Sequence, residues 1–572
     1  MIVRVVVDVP AITRHFDYLV PPGWEDRVAV GTMVRVPLHG RRVAGWILEV
    51  GVDALPGIDL QPLARISGVG PSTDTVEVCR WAAWRWAGRL PHFLGVASPP
   101  RMVPTVGAAG RRPTRPEAPP GTEGLFERQR VILRLPPAAD LFDVVLAAAA
   151  RGDALVICPS VAAAVGIVRR LRSAGVATAL APDDWARAAA GGCTVVGARA
   201  AAFAPVPALA AVVVLDESDE ALQSEGSPTW HAREVVLERA RRARVPAVMV
   251  SATPSLEAMS RTPVQVVDRS VERAGWPVVE VVDRREDDVG RTGLYSTELV
   301  ERLRSSGTTL CVLNRTGRSS LLACRSCGTI TSCERCESAV AMSDAGTVVC
   351  RRCGTTRPVI CQDCGSSTLK NLRVGVTRAR EELEALLGEP VAEISGPDSD
   401  GGTTGGPRVV VGTEAVLHRV STAATVAFLE FDQELLAPRY RAAEQALGLI
   451  ARAGRLVGGR AGRVVIQTRH PDHDVFRAAM SADPSIVSDA EAVRRELLEL
   501  PPARTIAVVG GPAAPEFVDR LGRPLGVEVT ESGDGQWLLR SADRAVLLDA
   551  LAAVERPGGR LRLQIDPARL PT

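Results

Sequence analysis

The sequence predicts a multidomain α/β chain: two lobes built on parallel sheets, the second carrying a cysteine-rich insertion, set between a β-rich N-terminal unit and a small α+β C-terminal unit. Three observations predict it. Short apolar runs alternate with helix-like segments over 125–270 and again over 271–485, the pattern of strands joined by crossover helices. Eight of the twelve cysteines crowd into the stretch from Cys324 to Cys364. Ahead of both lobes, residues 1–100 alternate apolar and polar positions with the period of two that half-buried strands require. At 572 residues, 46% apolar and 23% charged, the chain is long enough for about three to five domains, each with its own core.

In the N-terminal unit the strands are "IVRVVVDV", "TMVRVPL" and "RVAGWILEV", parted by Pro/Gly turns. The following "VEVCRWAAWRWAGRL" has helical spacing, and its three tryptophans read as a buried stripe. Residues 101–124, rich in Pro, Gly and Arg, read as a linker. The first lobe, 125–270, contributes "ALVICP", "CTVVGA", "AAVVVLDE" and "PAVMVSA". The second, 271–485, begins with "TTLCVLN", is interrupted by the insertion at 320–368, and resumes with "LRVGV", "RVVVGT", "ATVAFLEFD" and "GRVVIQT". The tail, 486–572, mixes the strands "ARTIAVVGGP", "QWLLRS" and "RLRLQID" with a helix at "RAVLLDALAAV".

No run of about 18 uncharged apolar residues exists, so no membrane span is expected. The first twenty residues carry an arginine and an aspartate inside the apolar run and no small-residue cleavage site, and the expected location is the cytoplasm, with the nucleoid. Net charge is +2, so there is no global basic field; "GRRPTR", "RRLR" and "RARRAR" read as solvated faces. Of 68 basic residues only Lys370 is lysine.

The cysteines divide sharply. Cys79, Cys158, Cys193 and Cys311 sit among apolar neighbours and read as small core residues. The other eight form four C-x2-C knuckles: Cys324/Cys327, Cys333/Cys336, Cys350/Cys353 and Cys361/Cys364. Each knuckle offers two thiolates and a tetrahedral Zn²⁺ takes four, so eight sulfurs imply two closed, structural zinc sites rather than redox dithiols or an iron–sulfur cluster.

Asp216 and Glu217 end an apolar strand, as a carboxylate that reaches Mg²⁺ and a glutamate that activates water would. "SATPSLE" at Ser251 then supplies the Ser-Ala-Thr turn with which helicases couple nucleotide state to nucleic acid. With "FDYLVP" at Phe16, "VRVP" at Val34, "GARAAAFAP" at Gly197, "PTWHARE" at Pro228, "VLNRTGRSSLLACRSCG", "RYRAAE" at Arg439, "VVIQTRHPDH" and "LQIDPARL", the chain resembles the PriA (primosomal protein N′) replication-restart family, in order and over nearly its whole length.

The resemblance implies two helicase lobes of the RecA type and an N-terminal domain that binds the 3′ end of a DNA strand. It places that role on Phe16, Asp17 and Gly40, with Arg41 and Arg42 as phosphate partners and Gln61 where the family uses a basic residue. It also implies an interleaved pairing of the knuckles: Cys324, Cys327, Cys361 and Cys364 on one zinc, Cys333, Cys336, Cys350 and Cys353 on the other. The family's winged-helix module has no evident counterpart.

The chain departs from the family where the chemistry would be. A P-loop, G-x-x-x-x-G-K-[ST], wraps phosphates in backbone N–H groups and meets their charge with a lysine. Between Leu125 and Arg151 there is no glycine, and Lys370 lies beyond the knuckles. The family's D-E-x-H has Asp219 for its histidine, and "RAGRLVGGRAGR" at Arg452 lacks the glutamine and register of Q-x-x-G-R-x-G-R. Asp216 and Glu217 are expected to be relics with a structural or accidental role, and ATP with Mg²⁺ is not expected as a cofactor. The expected function is to bind forked and single-stranded DNA and, with primosome components, to promote reloading of the replicative helicase without ATP-driven unwinding. Two alternatives stand: an ATP-dependent helicase with a rearranged nucleotide site, and a primosome bridging protein that has lost DNA binding.

Overall fold

A computed structural model describes the chain apart from residues 10–11, 13, 54–58, 109–114, 288–292, 306, 314–320, 328–330, 334–339, 344–345, 351–354, 363, 373–375, 395–405, 415, 534 and 571–572. The N-terminal unit is a five-stranded antiparallel sheet in the order Phe16–Leu19, Ile2–Val7, Arg41–Val50, Met33–Leu38, Arg65–Gly68. Alternation places Val3, Val5, Tyr18, Val34, Val36 and Ile47 in one core. Leu19 and residues 61–63 exchange backbone hydrogen bonds, which fastens the outer strand. Helices Thr73–Arg85 and Leu90–Ala97 follow; the Ser72 hydroxyl caps the first by accepting the Thr75 N–H.

Both lobes are parallel sheets. The first runs Val264–Val266, Arg130–Arg134, Ala247–Ser251, Leu209–Leu215, Asp153–Ile157, Thr194–Gly197, Thr178–Ala181. The second runs Val278–Asp283, Arg463–Thr468, Thr425–Phe428, Thr309–Val312, Val409–Gly412, Val391–Ile394. Central strands such as Ala247–Ser251 are buried at every position, which is why they read as unbroken apolar runs. The insertion leaves the second lobe on the antiparallel pair Leu321–Cys324 and Leu369–Leu372. The tail is an antiparallel sheet, Glu528–Ser532, Gln536–Ser541, Thr505–Gly510, Arg562–Ile565, with helices Ala514–Leu521 and Arg544–Ala553. Among the described residues no helix is long and apolar enough to cross a membrane.

Cys79, Cys158, Cys193 and Cys311 are buried core residues. The three tryptophans differ from a uniform buried stripe: Trp86 is fully buried, whereas Trp84 is half-buried and donates its indole N–H to Asp549 of the C-terminal domain, 2.8 Å away. The reason is a core shared by three units. Trp86 and Phe93 of the N-terminal helices, Leu155 and Val214 of the first lobe, and Phe517 and Leu547 of the C-terminal domain belong to one apolar cluster. Thr229 of the first lobe donates to the Ile565 carbonyl at 2.7 Å, and Arg85 meets Asp566 at 3.3 Å.

Candidate functional site

A cavity of about 940 Å³ lies between the lobes, lined by Asp216, Ser218 and Ser251–Thr253 at the strand ends on one side and by helix Ala442–Leu456 on the other. This is the crevice beyond the carboxyl ends of parallel strands where α/β proteins bind ligands. Beside it, reached through Arg455 of its lining, lies the turn 135–141, between strand Arg130–Arg134 and helix Phe142–Arg151. Pro136 and Pro137 have no N–H to offer. The Leu135 N–H donates to the Ser251 carbonyl at 3.3 Å, that of Ala138 to Gly275 at 3.1 Å, and that of Ala139 to Pro136 at 3.0 Å. The Phe142 N–H, at the helix N-terminus, donates to the Asp140 carboxylate at 3.0 Å. Two hydrogen bonds from Arg170, at 2.7 and 2.6 Å, hold the Asp140 carboxyl below its usual range, against a smaller upward push from burial. A carboxylate thus stands at the helix end that favours a bound anion.

Asp216 ends its strand in the left-handed region, φ +49°. It receives Arg455 from the facing lobe in a two-pronged pair, 2.6 and 2.7 Å, and the Arg455 Nε–H also donates to the Pro137 carbonyl at 3.1 Å. Burial pushes the Asp216 carboxyl up, but the charge and hydrogen bonds of Arg455 pull it further down, so it is held below its ordinary value. Asp219 is taken by Arg452, whose other Nη donates to Glu414 at 3.1 Å. Of the string from Arg452, Arg452 and Arg455 thus face the cleft and are spent on carboxylates, while Arg463 pairs with Glu280 at 3.0 Å.

Glu217 does different work. Its side chain is fully buried and accepts three hydrogen bonds: from Arg233 at 2.6 Å, the Ser255 N–H at 2.7 Å and the Ser255 hydroxyl at 2.9 Å. Ser255 in turn caps the short helix Leu256–Met259, so Glu217 fastens the Ser-Ala-Thr turn to helix Ala232–Ala243. Arg233 and Ser255 were not singled out from sequence. The available signal was an arginine two residues past the "TWH" run beside an acidic strand end.

The sulfurs of Cys324, Cys327, Cys361 and Cys364 all lie within 4.8 Å of one another, with Cys324 3.6 Å from Cys364 and Cys327 3.5 Å from Cys361. Metal–sulfur bonds of about 2.3 Å around a tetrahedral ion separate its sulfurs by about 3.8 Å, so these four thiols suit a closed metal site. The Ser326 N–H donates to Cys324 Sγ at 3.3 Å, which supports a thiolate there. Cys333 and Cys350 are buried together with Leu322, Val340 and Val348; Cys336 and Cys353 lie outside the described residues.

In the N-terminal sheet, Phe16 opens its strand opposite Val5, and Gly40 (φ +76°) is at the tip of the hairpin Met33–Val50. Register brings them to the same end of the sheet, with Arg41 and Arg42 exposed beside Gly40 and Arg14 stacked 5.1 Å over the Phe16 ring. Asp17 points to the other face, where Arg4 holds its carboxylate at 3.0 and 3.3 Å. Gln61 is exposed, and its carbonyl accepts the Leu19 N–H.

Residues 4–99 match the family model of the PriA 3′ DNA-binding domain (3′BD). The chain is 30% identical over 561 residues to the probable replication restart protein PriA of Mycobacterium tuberculosis (strain CDC 1551 / Oshkosh), covering 89% of this chain and 86% of that one. It is 33% identical over 340 residues to the replication restart protein PriA of Treponema pallidum, covering 54% of this chain and 50% of that one. With the PriA of Bacillus subtilis it shares 28% over 402 residues, 62% of this chain and 49% of that one. Dbp5 of S. cerevisiae bound to RNA and ADP BeF3 overlays 65% of this chain and 90% of its own at 13% identity, with a TM-score of 0.37.

Proposed function

The chain belongs to the PriA replication-restart family, and from that premise we propose that it binds abandoned or stalled replication forks and promotes reloading of the replicative helicase without hydrolysing ATP. The observation that carries this reading is the turn 135–141. Where the family's phosphate cradle belongs, two residues are prolines, the N–H groups of Leu135, Ala138 and Ala139 are bonded to carbonyls, and Asp140 occupies the helix N-terminus. A triphosphate brought there meets an Asp140–Arg170 pair instead of open N–H groups and a lysine. Asp216, which would position the metal, is neutralised by Arg455, and Glu217 is fully buried with its oxygens bonded to Arg233 and Ser255. Phosphoryl transfer depends on positioning and electrostatic stabilisation, and both supports are replaced by internal bonds.

What remains is recognition. Phe16 and Gly40 receive the 3′ end of a DNA strand in the N-terminal sheet, with Arg41 and Arg42 on its phosphates; Asp17, tied to Arg4, orients that edge rather than touching the terminal hydroxyl. The insertion carries two structural zinc ions. Cys324, Cys327, Cys361 and Cys364 hold the first and Cys333, Cys336, Cys350 and Cys353 the second, and each supplies folding free energy, not catalysis. Primosome components and the loader of the replicative helicase are its protein partners. The deciding experiment measures fork-DNA affinity and DNA-stimulated ATP turnover on the same purified protein. Tight fork binding with turnover at background supports the reading; turnover that rises with DNA returns the chain to the active helicases, and absent fork binding leaves a bridging protein.

A further inference from the structure

A helicase cleft must open and close, and the residues facing across this one are built against doing so. Beyond the pairs of Asp216 with Arg455 and Asp219 with Arg452, the first lobe's Glu257 holds Arg441 at 2.8 Å and its Glu220 holds Arg439 at 3.1 Å. Four carboxylates of the first lobe thus meet four arginines of the second in register. Asp219 is 8% and Glu257 12% exposed at the side chain, so these two pairs are shielded from the screening that weakens surface ion pairs, whereas Glu220 of a third pair is half-exposed.

Packing at the back of the cleft points the same way. A Cβ on Gly454 would stand 2.7 Å from Pro277 Cδ and 3.4 Å from Pro137 Cβ, and one on Gly275 only 2.5 Å from Pro136. The two prolines of the turn therefore seat directly on glycines of the facing helix and of the segment joining the lobes. Such contact excludes the space a moving phosphate loop needs.

We infer that the lobes are locked shut by an arginine–carboxylate clasp and a proline–glycine seat, so that the cleft is a fixed joint holding the two sheets and the insertion in one geometry. This carries the functional reading from chemistry into mechanics, and it can fail separately.

The test is hydrogen exchange on the full-length, zinc-loaded protein, followed in segments 135–142 and 212–222, with ATP turnover measured in the same samples. Wild-type exchange in both segments is expected to be slow and unchanged by ATP·Mg²⁺. The double substitution Arg452→Ala/Arg455→Ala, which removes two of the four pairs, is expected to speed it about tenfold or more. The exchanged pair Asp216→Arg/Arg455→Asp should return it toward wild type, and serves where the alanine variant does not fold. A wild-type cleft whose exchange changes with ATP·Mg²⁺, or a foldable alanine variant that exchanges like wild type, overturns the clasp. Such a result without ATP turnover leaves the non-hydrolysing reading standing, whereas turnover overturns that reading.

Discussion

Replacing Glu217 by Gln removes a negative charge from a site where Arg233, 4% exposed at its side chain, keeps only a longer ion pair, to Glu234 at 3.6 Å. The isosteric amide also keeps one acceptor oxygen where the carboxylate had two. If that oxygen faces Arg233, the amide NH₂ confronts the Ser255 N–H; if it faces Ser255, the NH₂ confronts the guanidinium. Either way a donor meets a donor. Removing one partner of a buried pair costs about 3–5 kcal/mol, and the retained oxygen recovers part of it, leaving about 3 kcal/mol. For a lobe of this size that lowers the melting midpoint by about 6–12 °C. Calorimetry resolves it, and the double variant Glu217→Gln/Arg233→Met should lose less than the sum of the two singles, because neither leaves a charge behind in the other's absence. A Glu217→Gln protein that melts like wild type but loses a DNA-stimulated ATPase would refute the reasoning, since the glutamate would then be acting on water and not on Arg233.

Elemental analysis should find two zinc ions per chain, and Cys361→Ser should lose one of them and weaken the insertion; a single zinc in the wild type, or an iron chromophore, contradicts the assignment. A fork ending in a 3′-hydroxyl should bind more tightly than one ending in a 3′-phosphate, with Phe16→Ala abolishing the difference, and equal binding by wild type would remove the case for end recognition. Glu234 should set part of the acid limb of stability. Burial raises its carboxyl, but Arg233, Arg85 and Arg544 draw it down to about 2. A depressed folded-state value means the contribution is present above the unfolded value and is lost as pH falls toward 2. Glu234 alone therefore accounts for about 2 kcal/mol of the loss between pH 5 and 3, and denaturant titrations of Glu234→Gln should show that slope reduced.

The parallel lobes and the insertion were legible because their strands are buried on both faces and their knuckles repeat at a fixed spacing, both signals local in sequence. The departure from the P-loop pattern was legible for the same reason: a missing glycine and lysine are read directly. The replacement was not. Arg455 and Asp216 are separated by most of the second lobe, and nothing along the chain says which carboxylate an arginine will find. Nor does the motif tell how its residues are turned: Phe16 and Asp17 are neighbours in sequence, yet strand alternation sends them to opposite faces, and Asp17 pairs with Arg4. Trp84 was misjudged because the surface that half-covers it belongs to a domain more than 400 residues away.

That distance has a consequence during synthesis. Phe93 is met by Phe203 of the first lobe, ring centroids 5.8 Å apart, whereas Trp84 and Arg85 of the first N-terminal helix find their partners only in Asp549 and Asp566. At ribosomal rates of about 5–20 residues per second, those two partners emerge roughly 20 to 90 seconds after the helix. Throughout that interval the Trp84 indole N–H and the Arg85 guanidinium wait on the nascent chain for those carboxylates. The N-terminal helices thus reach their final setting only when the last domain is made, and a chaperone that shields them would determine how much of the newly made protein completes the fold.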